Sequence, residues 1–294
     1  MTSSTHTPLE LGPDALTVRD VARIAHRQRE CRLSGDADWR ARITENHRLF
    51  QQLVERGDPV YGVTTGFGNS CTVEVREKLV AELPANLIRF HGCGMGAPFS
   101  PEETRAILVA RLKSLAAGYS GVRLELLERL ALLLQHDVLP VIPTEGSVGA
   151  SGDLTPLSYV AAVLTGEREV WVEGRRMPAA EAFALKGLSP IALQPKESLA
   201  LMNGTAAMTG VACLGWDRAD YALKLATRVT TLAAAALKAN RAHFAPELFA
   251  AKPHPGQAEV AANIFRELDI PGARAKPDHI QDRYSIRCAP HVLG

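Results

Sequence analysis

Apolar residues recur at helical spacing over most of this chain. Residues 16–30 read as a first helix with Thr17 as its N-cap. Residues 39–56 continue the pattern through Ile43, Leu49, Leu53 and Val54. The period returns over 75–89, where Pro84 is expected to break or kink it. Ser100, Pro101 and Glu103 then open a helix in three ways at once. The hydroxyl can cap, the ring suits the first turn, and the carboxylate completes a capping box. That helix is expected to reach about Ala117 and to be broken by Tyr119-Ser120-Gly121, with a further amphipathic helix over 123–135.

Between the helices the texture changes. Residues 58–70, DPVYGVTTGFGNS, combine three glycines with small hydroxyl side chains around one tyrosine, the composition of a functional loop. Phe90 to Gly96 is a second glycine-rich connection, and 137–153 is a third irregular stretch with two prolines and three glycines. A helix restarts at about Leu157. Residues 169–176 alternate and predict a short hairpin, the one strand-like segment expected. Residues 196–240 read as one very long helix, softened by Gly204, Gly210 and Gly215. Helices of that length belong to bundles or oligomer cores. Shorter helix and a proline-containing loop follow over 243–277.

The predicted fold class is therefore mainly α. A loop-rich helical N-terminal domain with a short hairpin occupies 1–195, and 196–294 begins a long-helix central bundle that is incomplete at the C-terminus. Stopping at Gly294, just after the polar stretch 278–288, suggests a fragment and predicts exposed apolar surface on the shortened bundle.

Composition adds exclusions. A formal net charge of +1 gives no reason to expect a nucleic acid or an anionic membrane as partner. Cys31, Cys71, Cys93, Cys213 and Cys288 are odd in number, widely spaced and contain no CxxC pair, so neither a metal site nor a disulfide framework is expected. They fit reduced thiols in the cytoplasm, and the polar first residues lack an apolar signal core. No unbroken apolar run is long enough to span a bilayer.

Chemistry enters at Gly149-Ala150-Ser151-Gly152-Asp153. Small residues let the backbone fold sharply back on itself. In a tight enough turn the Gly152 amide nitrogen reaches the Ala150 carbonyl carbon. Cyclisation with loss of water gives an imidazolone, and loss of the Ser151 hydroxyl as a second water leaves an exocyclic methylidene. The product, a 4-methylidene-imidazol-5-one, is a strong electrophile made without a bound cofactor.

The chain resembles the histidine, phenylalanine and tyrosine ammonia-lyases and their aminomutase relatives. Four motifs in the family's order carry the resemblance: Tyr61 to Gly68 (YGVTTGFG), Gly149 to Ser158 (GASGDLTPLS), Leu201 to Thr205 (LMNGT) and Gln281 to Cys288 (QDRYSIRC). It covers nearly the whole chain from about residue 15. It implies that Ala150, Ser151 and Gly152 form the methylidene-imidazolone and that Tyr61 is the general base that takes the substrate β-proton. Asn203 would hold the imidazolone oxygen and Arg287 would clamp the substrate carboxylate. Gln281 and Tyr284 would orient the amino group and the prosthetic ring, with Gly68 in a mobile lid over the substrate. The implied reaction is non-oxidative elimination of ammonia from an aromatic L-amino acid to an arylacrylate in a homotetramer. A 2,3-aminomutase would instead return ammonia to the β-carbon.

Phe90 and His91 match the pair that lies beside the aryl ring in the family. Histidine lyases have Ser-His there, tyrosine lyases His-Leu and phenylalanine lyases Phe-Leu; this chain has Phe-His. His91 can bond an imidazole or a phenol, and Phe90 tolerates an aryl ring, so histidine and tyrosine rank above phenylalanine. Two rivals stand outside this reading. One is an inactive helical scaffold that never completes a site, and the other is a fumarase-type lyase that needs no Ala-Ser-Gly turn.

Overall fold

The computed structural model describes residues 7–269 and 280–294. By contacts it divides into two compact units, Met1–Gly215 and Trp216–Gly294. The division falls inside the longest helix.

The first unit begins with β1 (Leu9–Leu11), α1 (Val18–Ala25), β2 (Cys31–Leu33) and α2 (Ala37–Glu55). Thr17 caps α1 through a full capping box with Asp20, as its position before the apolar period predicts. The helical stretch over 75–89 is two short helices, α3 (Glu77–Val80) and α4 (Leu83–His91), with Pro84 seated in the first turn of the second. After β3 (Met95–Pro98) comes α5 (Pro101–Ala116), opened by the Ser100/Glu103 capping box. Next are α6 (Leu124–Gln135), β4 (Leu139–Pro140), β5 (Pro143–Glu145) and α7 (Leu154–Leu164). The unit continues through β6 (Glu169–Val172), β7 (Arg175–Pro178), α8 (Ala179–Lys186) and α9 (Glu197–Met202) into α10 (Ala206–Ala236).

Two expectations need correction. The hairpin β6–β7 is present, but it is not the only sheet. β4 adds antiparallel to β6, β1 pairs parallel with β2, and β3 pairs antiparallel with β5 through a register shift. These added strands are two to four residues long, too short to leave an alternating signature. The long helix expected over 196–240 is likewise interrupted completely at Asn203-Gly204-Thr205, where Asn203 is extended (φ −86°, ψ 100°). Gly210, in contrast, lies inside α10 and marks close helix packing. A Cβ there would fall 2.6 Å from the Ile107 amide nitrogen of α5.

The core explains why α5 and α7 are central. All ten residues from Thr155 to Leu164 are buried, and α5 is buried on nearly every side. A helix apolar all round is stable only when surrounded. The buried Arg105 of α5 ties the surrounding helices together. It donates to the Ile24 and Leu134 carbonyls, which end α1 and α6, and pairs with Asp137 at 2.7 Å. Trp39 of α2 donates its indole N–H to the Ala116 carbonyl at the end of α5.

The second unit holds the remainder of α10, then α11 (Pro246–Ala250), α12 (Pro255–Glu267), α13 (Tyr284–Arg287) and α14 (Ala289–Leu293). Its small core joins Ala234, Phe244, Val260, Ile264 and Ile286. Asp282 fastens the C-terminal segment by accepting from the Asn240 amide at 2.7 Å and facing His243 Nδ1 at 3.0 Å. The combined stretch Glu197–Ala236 is long and apolar enough to cross a membrane. It is broken at 203–205, and its most apolar 18-residue window is more than half buried, as in the core helix of a globular fold.

Candidate active site

The turn at 149–152 gathers three residues of left-handed backbone within four positions. Gly149, Ser151 and Gly152 all have left-handed φ, at +71°, +61° and +81°. Two of them are glycines, for which this costs little; Ser151 is not, and carries strain of order 1 kcal/mol or more. The surroundings hold it there. The Asp153 amide donates to the Gly204 carbonyl at 2.7 Å. A Cβ on Gly152 would lie 2.5 Å from that same carbonyl oxygen, so no larger residue fits. The Asn203 carboxamide nitrogen donates to Ser151 Oγ at 3.1 Å.

The side chain of Asp153 anchors the other end. One carboxylate oxygen accepts from the Met208 amide at 2.9 Å in the first turn of α10, and the other accepts from Ser147 Oγ at 3.1 Å. A carboxylate at the start of a helix satisfies an orphan N–H and meets the positive end of the helix dipole. The break between α9 and α10 thus forms a seat for the turn.

Tyr61 lies on a separate loop. The amides of Val63, Thr64 and Thr65 all converge on the Val60 carbonyl, and Gly62 has φ +67°. A side chain at Gly62 would collide with the Phe67 ring and Leu199. The Tyr61 hydroxyl accepts from the Gly68 amide at 2.9 Å, and its ring meets Phe67 edge to face. Phe90 and His91 end α4. Phe90 is 80% exposed and packs edge to face on His91, with centroids 5.1 Å apart. His91 Nδ1 is 3.0 Å from the Leu87 carbonyl and must donate to it.

Gln281, Tyr284 and Arg287 belong to the second unit, on and just before α13. With its carboxamide oxygen turned toward Arg287, Gln281 accepts from both guanidinium arms, 2.9 Å to Nη2. The guanidinium also lies 5.2 Å from the Tyr284 ring centroid. These three residues therefore form one group. Asp278 and His279 of the polar stretch 278–288 lie outside the described residues.

Sequence reasoning assigned no role to Arg111 or to the side chain of Asp153. Arg111 is only 3% exposed and lies beneath the α9–α10 break. Its signal was an arginine on the buried face of α5, between Leu108 and Leu115. No group of three His, Cys, Asp or Glu side chains suited to a metal ion occurs among the described residues.

The chain matches the family model described as aromatic amino acid lyase over residues 16–294. It is 40% identical over 285 residues to a histidine ammonia-lyase of Myxococcus xanthus, covering 96% of this chain and 56% of that one. Its fold is similar to the crystal structure of tyrosine aminomutase from Streptomyces globisporus, with TM-score 0.88 and 36% identity over 98% of this chain and 58% of that one. It is also similar to histidine ammonia-lyase from Trypanosoma cruzi, with TM-score 0.83 and 31% identity over 98% and 53%. The chain thus spans just over half the length of these relatives. With the matched region taking in the turn at 149–152, its seat at 203–205 and the Gln281–Arg287 group, the chain belongs to the aromatic amino acid lyase family.

Proposed function

We propose that this chain supplies the electrophile-forming part of an ammonia-lyase that removes ammonia from an aromatic L-amino acid, histidine first. The observation that carries the reading is the turn itself, with Ser151 left-handed between two left-handed glycines and seated on Asn203 and Gly204. Closure is redox-neutral and balances within the chain. The Gly152 nitrogen bonds to the Ala150 carbonyl carbon. The Ala150 oxygen leaves as water with the Gly152 and Ser151 amide hydrogens. The Ser151 hydroxyl then leaves with the Ser151 α-hydrogen as a second water.

The residues fit that ring. Gly152 has no room for a side chain, and Asn203 already contacts the group that must leave. The ring supplies an electron sink that makes the substrate amine a leaving group. The remaining work falls to side chains. Tyr61 takes the β-proton on its oxygen, where the Gly68 N–H stabilises the negative charge the base must carry before the proton arrives. Gly68 thereby holds the loop edge facing the substrate. Arg287 binds the substrate carboxylate, with Gln281 and Tyr284 fixing its planar fork.

Substrate choice rests on His91. With Nδ1 donating to Leu87, the neutral ring leaves Nε2 as an acceptor. An imidazole N–H or a phenol O–H can donate to it; a phenyl ring cannot. The histidine ammonia-lyase name carried by the Myxococcus relative favours imidazole. The likeness to tyrosine aminomutase supports a second reading, 2,3-isomerisation of tyrosine on the same ring. Assembly into a homotetramer in the cytoplasm is part of the same proposal.

The deciding experiment is intact mass spectrometry of the purified chain beside its Ser151→Ala variant. A deficit of two waters in the parent and none in the variant is expected. An unshifted parent mass would sink the reading. Incubation with histidine or tyrosine then separates the two activities, since a lyase accumulates arylacrylate and an aminomutase accumulates a β-amino acid.

A further inference from the structure

Arg111 is an expensive residue in its position. It sits in the middle of α5 and is 3% exposed, its Nε has no hydrogen-bond partner, and burial pushes its guanidinium down to about 10. The negative charge of Asp153 opposes that shift. A methionine or leucine of similar volume would cost the core less. What the guanidinium does instead is specific. Its Nη2 donates to the Ala200 carbonyl and lies 3.3 Å from the Asn203 carbonyl. Both are orphan acceptors at the C-terminal end of α9, a six-residue helix with little stability of its own. Its Nη1 lies against Gly204, where a Cβ would fall 2.1 Å away. Gly204 in turn receives the Asp153 amide and presses on Gly152.

We infer that Arg111 is a positioning residue for ring closure: it holds the Asn203-Gly204 break so that the carboxamide of Asn203 meets Ser151 and the Gly204 carbonyl meets Asp153. This rests on the reading of 150–152 as the ring-forming turn. Arg111 touches none of the three reacting residues in the hydrogen bonds described, so it acts through its neighbours. A misplacement of about 1 Å at such a site costs on the order of a hundredfold in rate.

The test uses the 294-residue chain and three variants, Arg111→Met, Arg111→Lys and Gly204→Ala. Gly204→Ala leaves the cation in place but crowds Nη1, so it perturbs the same contact from the other side. Each is read by far-UV circular dichroism, by the fraction of chains lacking two waters, and by amide exchange over the peptide that contains Asp153. Folded Arg111→Met and Gly204→Ala chains should lose at least about tenfold of the cyclised fraction and exchange the Asp153 amide faster, with Arg111→Lys between them and the parent. Full water loss in folded Arg111→Met would overturn the inference. If Arg111→Met does not fold, Arg111→Lys and Gly204→Ala decide by the same readouts. If the parent shows no mass deficit, the ring reading fails on its own. Unchanged Asp153 exchange in the variants would then reject Arg111's hold on the Asn203-Gly204 break as well, and faster exchange would support that hold without a role in ring closure.

Discussion

Single residues divide by what burial does to them. Cys71 and Cys93 are exposed, whereas Cys31 is buried on β2 and its thiol is pushed up to about 11 by desolvation. The folded chain therefore keeps a proton on Cys31 between about pH 9 and 11 that the unfolded chain has lost. Stability from this group is complete below pH 9 and falls as pH rises through that window, by at most about 3 kcal/mol. Urea denaturation across pH 8 to 11 should show this decline in the parent and a shallower one in Cys31→Ala. Identical profiles would show that Cys31 does not titrate as a buried thiol. Native alkylation near pH 8 should mark Cys71 and Cys93 first. At this scale the sequence was informative wherever chemistry is local. The glycines at 149 and 152 forecast a sharp turn, and Thr17 and Ser100 forecast their caps, because each signal is complete within four residues. Arg111 was silent because its partners at Ala200 and Asn203 lie about ninety positions away in the chain.

Elements follow from periodicity, and periodicity fails where tertiary contacts overrule it. The stretch 196–240 has helical composition throughout, yet it breaks at 203–205 because Asn203 and Gly204 take contacts from α5 and from the turn at 149–153. Gly210 and Gly215 had equal claim to that break on composition, and both stay helical. At Gly210 the glycine permits contact instead, since α10 meets the Ala106–Ile107 backbone of α5 there. Gly210→Ala places a methyl group against immovable main chain. The gain in helix propensity, about 1 kcal/mol, should be outweighed by overpacking of about 1–3 kcal/mol. Thermal denaturation should show a lower midpoint than the parent. A higher midpoint would mean that the two helices can separate without cost. Gly215, which meets nothing within 4 Å, is the control: Gly215→Ala should stabilise.

At the scale of the molecule, the second unit leaves Tyr221, Leu225, Val229 and Leu232 of α10 exposed. Their spacing of three and four residues makes one continuous apolar stripe along the helix. A stripe of that kind marks an association surface. Sedimentation of the chain should show concentration-dependent oligomers, and Leu225→Glu with Leu232→Glu should shift them toward monomer while leaving the first unit's circular dichroism intact. A monodisperse monomer at all concentrations would remove the stripe as an assembly surface. The mainly α class was legible from the sequence because α5, α7 and α10 dominate it. The small sheets were not, since strands of two to four residues depend on partners rather than on their own pattern.

The seating of the turn at 149–152 has a consequence in time. Ser151 is held by a carboxamide 52 positions further along the chain, and the seat exists only once α5, α9 and the start of α10 have docked. A chain emerging from the ribosome exposes residues 150–152 long before it can grip them. On the proposed ring closure, water loss at 150–152 would be a one-way record of completed folding, absent from misfolded molecules, and the mass of a single polypeptide would carry its own history.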